Sequence, residues 1–232
     1  GRPVLVLTDD DNAANRFAAD LRGFSERDVV QLPSRELVMA DVVGVSRGYE
    51  QRRLAALDEL TEAHFAVASV QAAAQRTMPP EALKTAIVSL AAGETAPLDE
   101  LAQSLTRAGY ERCVQVEGTG QFSIRGGILD VFPPQAEHPY RVEFWDDEID
   151  SISTFDVGSQ RRLEQCECLR CLPCMESIPA LAKGGAAGLA KAVLALTSTR
   201  RKKQHADLQT NLERDAERLR ETGSLPAADK YM

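Results

Sequence analysis

The first part of the chain alternates between short apolar runs and longer stretches with helical periodicity. Residues 4–7 and 29–32 predict short strands, and the continuous apolar run over residues 65–70 is typical of a buried parallel strand. Residues 49–62 place leucines along one side of a predicted amphipathic helix. This alternation of strand and helix predicts an α/β layer over residues 1–78.

The first helix of this layer has sequence signals at both ends. Asp9, Asp10 and Asp11 supply side chains that cap a helix start, and apolar residues then recur at helical spacing. Gly23 fits the position just past the last helical residue, where glycine is favoured. We therefore expect a helix between these aspartates and Gly23.

The pattern changes after the Pro79-Pro80 pair. A strand over residues 86–90 and a helix over 98–108, ended by Gly109, are predicted first. Turns that contain glycine or proline then join short predicted strands near 113–117, 120–125, 127–132, 139–145, 148–155 and 165–172. This is the pattern of an antiparallel meander, so the middle of the chain is expected to be an α+β domain.

The last part of the chain is predicted to be helical. Residues 180–195 are rich in small side chains, and residues 200–221 carry apolar side chains on one stripe of a charged helix. The basic run at 200–203 could touch phosphate, but a solvated helix end is the commoner role of such a run. The apolar stripe consists of Leu208, Leu212, Ala216 and Leu219.

Charge and composition narrow the possible functions. The chain has 232 residues and a net charge of −8, which disfavours general nucleic-acid binding because phosphate contacts require basic side chains. No apolar run approaches the roughly 20 residues of a membrane helix, and the opening residues do not resemble a signal peptide. We therefore expect a cytoplasmic location and no membrane partner. The chain does not begin with methionine, and we expect it to be part of a longer polypeptide.

Four of the five cysteines are clustered. Cys166, Cys168, Cys171 and Cys174 lie within nine residues and could in principle bind zinc or an iron–sulfur cluster. A single strand through this segment would send Cys166 and Cys168 to one face and Cys171 to the other, and no second CxxC pair is present. We therefore expect packing rather than metal binding, in a reducing compartment.

The middle sheet is expected to carry charged residues on one face. Alternation along strand 120–125 places Arg125 opposite the apolar residues, and strand 139–145 brings Arg141 and Glu143 to a common side. Arg112, from the strand before, is a further candidate. The pattern leaves two interpretations open. The face binds the acidic groups of a partner, or it is an ordinary solvated sheet face with Arg141 and Glu143 paired across strands.

Several segments resemble a known family. FSIRGGILDVFP at 122–133 and PYRVEFWDDEIDSI at 139–152 resemble domain 2 of the nucleotide-excision-repair protein UvrB. They are more similar to the same domain of the transcription-repair coupling factors, the Mfd family. FDVGSQR at 155–161, the opening GRPVLVLTDDDNAANRFAADL and the ending GSLPAADKYM favour the coupling factors, and the similarity extends over essentially the whole chain.

The resemblance implies the N-terminal UvrB-like module of that family. Residues 1–78 would be the first part of domain 1, a RecA/helicase-like α/β body. Residues 79–172 would be an inserted domain 2, which binds the damage-recognition ATPase UvrA, and residues 173–232 would return to domain 1. The family's UvrA-binding positions fall on four residues of this chain: Arg112, Arg125, Arg141 and Glu143.

The resemblance also bears on activity. UvrB has another arginine at the place of Ser123, so a weaker or differently balanced contact with UvrA is expected. There is no room before Leu54 for the long aromatic hairpin that UvrB inserts into DNA, and no GxxxxGK[ST] phosphate loop is present. We therefore expect no catalytic activity and no cofactor in this chain.

The longer protein would be an ATP-driven DNA translocase, with ATP and magnesium in its motor domains. Its other domains would bind RNA polymerase and double-stranded DNA, and its C-terminal domain would mask the UvrA-binding face. Two other hypotheses stay open: a UvrB-type helicase body that binds DNA and nucleotide, and a redox or metal module built on the clustered cysteines.

Overall fold

The computed structural model of the protein describes residues 2–35, 47–198, 206–225 and 228–231. These residues divide into two compact units, the first made of residues 2–35 and 47–176 and the second of the described residues from 177 onward. The predicted subdivision at residue 79 falls inside the first unit and stays a prediction. None of the described helices is both long and apolar enough to cross a membrane.

The first unit opens with the predicted α/β layer. Strands β1 (Val4–Thr8), β2 (Val29–Leu32) and β3 (Phe65–Ser69) form a parallel sheet with β3 in the centre. Helices α1 (Asp11–Phe24) and α2 (Arg47–Glu59) pack against it. β1 lies at the edge of this sheet, and side chains such as Leu5 and Leu7 are more than half exposed there.

Helix α1 begins as predicted and ends differently. The Asp10 carboxylate accepts a hydrogen bond from the backbone N–H of Ala13 at 2.7 Å, so Asp10 is the N-cap. The prediction that Gly23 ends the helix is wrong, because α1 continues to Phe24. The chain leaves the helix through Ser25 in an extended conformation, so no residue with positive φ is needed there.

A short helical stretch connects the layer to the middle sheet. Helices α3 (Val70–Ala74) and α4 (Pro80–Ala86) were not predicted, although Pro80 suits the first turn of a helix. Strand β4 (Val88–Ala91) and helix α5 (Leu98–Arg107) follow, close to their predicted positions. Gly109, with φ of +91°, ends this helical region as expected.

The middle sheet has six strands in the order β10-β9-β8-β7-β6-β5. Its neighbours are antiparallel except β5 and β6, which are parallel. One face packs on α5 and β4 and forms the core, with Phe122, Leu129 and Ile152 fully buried. The strands are β5 (Glu111–Arg112), β6 (Gln121–Arg125), β7 (Ile128–Val131), β8 (Tyr140–Trp145), β9 (Glu148–Phe155) and β10 (Arg162–Cys166).

Two predicted strands of this region are wrong. Residues 113–117 are not a strand, because the Gln121 side chain accepts the backbone N–H groups of Glu117 and Gly118 and holds a loop there. Residues 165–172 are not one strand but two. β10 ends at Cys166, and β11 (Cys168–Cys171) pairs with β4 in a separate two-stranded sheet.

A buried ion pair ties α2 to the end of the first unit. Arg53 is fully buried, and its Nε donates to Glu176 at 2.9 Å while its Nη1 donates to the carbonyl of Pro33 at 2.6 Å. Glu176 also accepts the backbone N–H of Met78 at 3.3 Å. The pair therefore joins four separate segments of the chain.

The second unit is helical. It contains α6 (Gly185–Ser198) and α7 (Ala206–Thr222), which pack on each other, and short 3-10 turns at Pro179–Leu181 and Ala228–Tyr231. Leu212, Ala216 and Leu219 are buried as the predicted stripe requires, whereas Leu208 is partly exposed. The basic run at 200–203 lies outside the described residues.

Candidate functional site

The face of the six-stranded sheet that points away from the core carries a row of charged side chains. Strand register places Ser123, Asp130, Arg141 and Ser153 side by side across four strands. The next row contains Arg125, Ile128, Glu143 and Ser151. We call this surface the charged face and define it by Arg125, Asp130, Arg141, Glu143 and Arg162.

Asp130 is the centre of the charged face. Its side chain is 1% exposed, and it accepts hydrogen bonds from Arg125 Nη2 at 2.6 Å and from Arg141 Nε at 2.7 Å and Nη2 at 2.9 Å. A buried carboxylate requires such partners, because taking an unpaired charge out of water is costly. Asp130 therefore fixes where the two guanidinium groups lie.

Arg141 is committed to contacts within the protein. Besides Asp130, it donates to the backbone carbonyl of Gln160 at 3.4 Å and to the Gln160 side chain at 3.2 Å. Its guanidinium lies 4.5 Å from the centre of the Phe155 ring. The hydrogen bonds from Arg141 to Asp130 raise the pKa of Arg141. With 18% of its side chain exposed, Arg141 contributes mainly to holding the face together.

Arg125 is the more accessible arginine, with 49% of its side chain exposed. It ends β6 just before a two-residue turn, Gly126-Gly127, that returns the chain into β7. Gly126 has φ of +59°, and a Cβ on Gly127 would lie 3.0 Å from the carbonyl oxygen of Phe144. The turn therefore requires glycine and holds Arg125 at the rim of the charged face.

Glu143 already has partners in the free protein. Its Oε1 accepts from Arg162 Nη2 at 2.7 Å, and its Oε2 accepts from the Ser151 hydroxyl at 3.0 Å. The hydrogen bond from Arg162 is the main cause that holds the pKa of Glu143 below its usual value. Glu143 is therefore ionised and occupied at neutral pH.

The structure brings together Arg125, Arg141 and Glu143 but not Arg112. Arg112 pairs in register with Phe122, a core residue, so it lies on the other side of the sheet from the charged face. Ser123, which stands at the place of an arginine in UvrB, lies on the charged face but is buried beneath it. The partner-binding roles of the four predicted residues stay predictions.

Sequence analysis missed Asp130 and Arg162 as parts of this site. Asp130 lies opposite Arg141, and Arg162 comes within reach of Glu143, only when the strands are paired. Asp130 occupies an outward position in β7. An acidic residue at such a position, next to a strand that carries an arginine, could have predicted a cross-strand ion pair. Arg162 carried no such signal, because the bulge in β10 shifts its register.

Trp145 extends the charged face with an apolar surface. It follows Glu143 by two residues in β8, so alternation puts both on the same side, and its side chain is 81% exposed. Trp145 is the single tryptophan of the sequence. Tryptophan and arginine are both enriched in protein-binding hot spots, and this side of the sheet exposes both.

The clustered cysteines are distributed over different environments. Cys171 and Cys174 are buried in the core near Tyr110, Cys168 is exposed, and Cys166 is half-buried. Burial raises the pKa of the Cys171 thiol to about 12, which suits a packing role. Within the described ranges, no three potential metal ligands of the His, Cys, Asp or Glu type lie together.

Comparison with known proteins identifies the region that carries the charged face. Residues 88–176 match the family model of the UvrB interaction domain. All strands of the six-stranded sheet lie within this match.

Curated relatives extend the similarity to the rest of the chain. The transcription-repair-coupling factor of Bacillus subtilis is 33% identical over all of this chain. That of Escherichia coli is 33% identical over 75% of it, and that of Mycobacterium bovis is 37% identical over 71%. The matched regions make up 20%, 15% and 14% of these relatives, so the chain spans a fifth of their length or less. The chain belongs to the family of transcription-repair-coupling factors and carries its UvrB interaction domain.

Proposed function

We propose that this chain is the UvrA-recruiting module of a transcription-repair coupling factor. Its task would be to link RNA polymerase stalled at DNA damage to nucleotide excision repair. The observation that carries the proposal is the charged face, which lies within the matched UvrB interaction domain and presents preorganised arginines on the same side of the sheet as an exposed tryptophan.

The chemistry of the charged face suits an acidic protein surface. Guanidinium groups pair with carboxylates through two parallel hydrogen bonds, which fixes the orientation of the partner. Such contacts mainly determine partner choice and the rate of association. Trp145 would add apolar contact area, which the charged groups do not supply. In this proposal Arg125 is the principal contact among the predicted residues, because it is the most accessible residue of the Asp130 network.

Other parts of the longer protein would supply the remaining functions. These include ATP and magnesium binding in the motor domains, contacts to RNA polymerase and double-stranded DNA, and a C-terminal domain that masks the charged face. The parallel sheet would be part of a RecA-type body. The exposed edge of β1 supports this, because parallel strands are normally covered by further structure.

Isothermal titration calorimetry with purified UvrA tests the proposal. Arg125→Glu should weaken binding by about thirtyfold or more, since removing one partner of an interfacial charge pair costs about 2 kcal/mol or more. Arg16→Glu is the matched control, because Arg16 is exposed on α1 and undergoes the same change of charge. Circular dichroism of both variants checks that the fold is retained.

Two results would refute this function. One is UvrA affinity that is the same for wild type, Arg125→Glu and Arg16→Glu. The other is the absence of UvrA binding together with tight binding of ATP or DNA by the isolated chain, which would favour the UvrB-type helicase body.

A further inference from the structure

We infer that Arg162 is a further partner-contacting residue of the charged face and that Glu143 is the positioning residue that holds it. This rests on the proposed function and changes the role of Glu143, which the family resemblance assigns to direct pairing with UvrA. It also adds to the site a residue that neither the sequence pattern nor the resemblance indicated.

Register and contact both place Arg162 on the charged face. Arg162 pairs with Phe155, which lies beneath the guanidinium of Arg141 on the side of the sheet away from the core. From β10, Arg162 reaches past β9 to Glu143 in β8, with 2.7 Å between Nη2 and Oε1. The guanidinium is therefore held over the same surface that Arg125 borders.

Glu143 is already paired within the protein, so a basic group of a partner would have to compete for it. One of its oxygens is taken by Arg162 and the other by Ser151. A partner's lysine or arginine would have to displace a cation that is tethered to the same sheet and therefore present at high effective concentration. An acidic partner can pair with Arg162 without displacing Glu143, because the guanidinium has five N–H groups and donates to Glu143 through Nη2.

The charge balance of the face supports an acidic partner. Three arginines, Arg125, Arg141 and Arg162, stand against two carboxylates, Asp130 and Glu143, each of which is already hydrogen-bonded to an arginine. Beyond these pairs, the exposed rim offers guanidinium N–H groups, and Glu148, in register with Trp145, adds a carboxylate outside this set. Arg162 is as exposed there as Arg125, at 49% of its side chain.

The Glu143–Arg162 pair adds little to folding, because ion pairs between exposed side chains are weak. Its stronger effect is on binding. An arginine already held in one orientation loses less rotational freedom when a partner carboxylate docks. This gives Glu143 a function in recognition without contact to the partner.

The test measures UvrA affinity for Arg162→Ala, Glu143→Gln and the double variant. We expect about a tenfold loss for Arg162→Ala, about a threefold loss for Glu143→Gln, and no further loss in the double variant relative to Arg162→Ala. Arg161→Ala, which removes a charge from the neighbouring exposed arginine, should stay within twofold of wild type. Equal or tighter binding by Arg162→Ala would overturn the inference, because Glu143 would then be the contact and Arg162 its competitor.

A partner-free measurement separates the positioning role from the proposed function. Nitrogen-15 relaxation of the Arg162 Nε–H should show an ordered side chain in the wild type and a mobile one in Glu143→Gln. A mobile Arg162 in the wild type refutes positioning whatever UvrA does. If Arg125→Glu weakens UvrA binding and Arg162→Ala does not, this inference fails and the proposed function stands. If the wild type does not bind UvrA, both fail.

Discussion

Replacing Asp130 by asparagine isolates the charge that holds the charged face together. The change preserves size and one acceptor oxygen but removes the negative charge between Arg125 and Arg141. Asp130 accepts three hydrogen bonds, at 2.6, 2.7 and 2.9 Å. Asparagine has one acceptor oxygen in its side chain, so it can retain only the hydrogen bonds made to that oxygen. Its amide N–H₂ would then face guanidinium N–H groups, which are also donors.

The expected loss of folding stability depends on how exposed Arg125 and Arg141 are. Breaking a buried ion pair costs about 3–5 kcal/mol, and a hydrogen bond to a charged group contributes about 1.5–3 kcal/mol. Arg125 is half exposed and recovers most of its hydration, so its share is small. Arg141, with 18% of its side chain exposed, does not recover most of its hydration. We therefore expect a loss of about 3 kcal/mol, near the low end of the range for a buried pair.

Thermal unfolding followed by far-ultraviolet circular dichroism measures this loss. A loss of about 3 kcal/mol lowers the midpoint by about 6–12 °C in a chain of this size. Asp150→Asn on β9 is the matched control, because Asp150 is exposed on the neighbouring strand. Adding Arg141→Met to Asp130→Asn should restore part of the stability, since the uncompensated cation is then gone. An Asp130→Asn midpoint equal to that of Asp150→Asn would refute the assignment of Asp130 as the organiser of the face.

Two further predictions concern the α/β layer. Glu176→Gln should lower the free energy of unfolding by about 3–5 kcal/mol in urea titrations, because it leaves the fully buried Arg53 without its carboxylate. Burial alone would raise the pKa of Asp11, but hydrogen bonds from Ser34 and Ser69 outweigh it and lower the pKa below its ordinary value of 3.8. The resulting stability is present above pH 3.8 and lost as the pH falls through the lowered value, so the stability difference between wild type and Asp11→Asn should shrink below pH 4.

Each of these two predictions has a result that would contradict it. A Glu176→Gln variant as stable as an exposed control, Glu148→Gln, would show that the buried pair contributes nothing to stability. A stability difference between wild type and Asp11→Asn that stays constant from pH 7 to pH 3 would show that the hydrogen bonds from the two serines do not favour the ionised carboxylate.

The elements that sequence analysis located best are those with strong one-dimensional patterns. Strands β1 and β3 were found because each contains a continuous apolar run, which is typical of parallel strands. Helix α5 was found because Leu101 and Leu105 recur at helical spacing before a glycine with positive φ. These signals lie within one segment and need no knowledge of its neighbours.

The errors arose where the outcome depends on pairing partners. Residues 165–172 contain apolar and polar residues suited to one strand, yet β10 pairs with β9 while β11 pairs with β4. The residues of the charged face were likewise predicted only in part. Alternation located Arg125, Arg141 and Glu143, but their partners Asp130 and Arg162 follow from cross-strand register, which a single sequence does not specify.

The internal pairing of the charged face changes how its binding energy should be understood. If the arginines were unpaired, each would contribute to binding as an independent charge, and their effects would add. Here Asp130 couples Arg125 to Arg141, and Glu143 couples to Arg162, so substitutions within each group share a common contact. Residues in one ion-pair network show non-additive effects, whereas distant residues add. The strongest non-additivity is therefore expected within each of these two groups, and a scan of single alanine substitutions would overstate the contribution of Arg141, because its loss also releases Asp130 and Arg125.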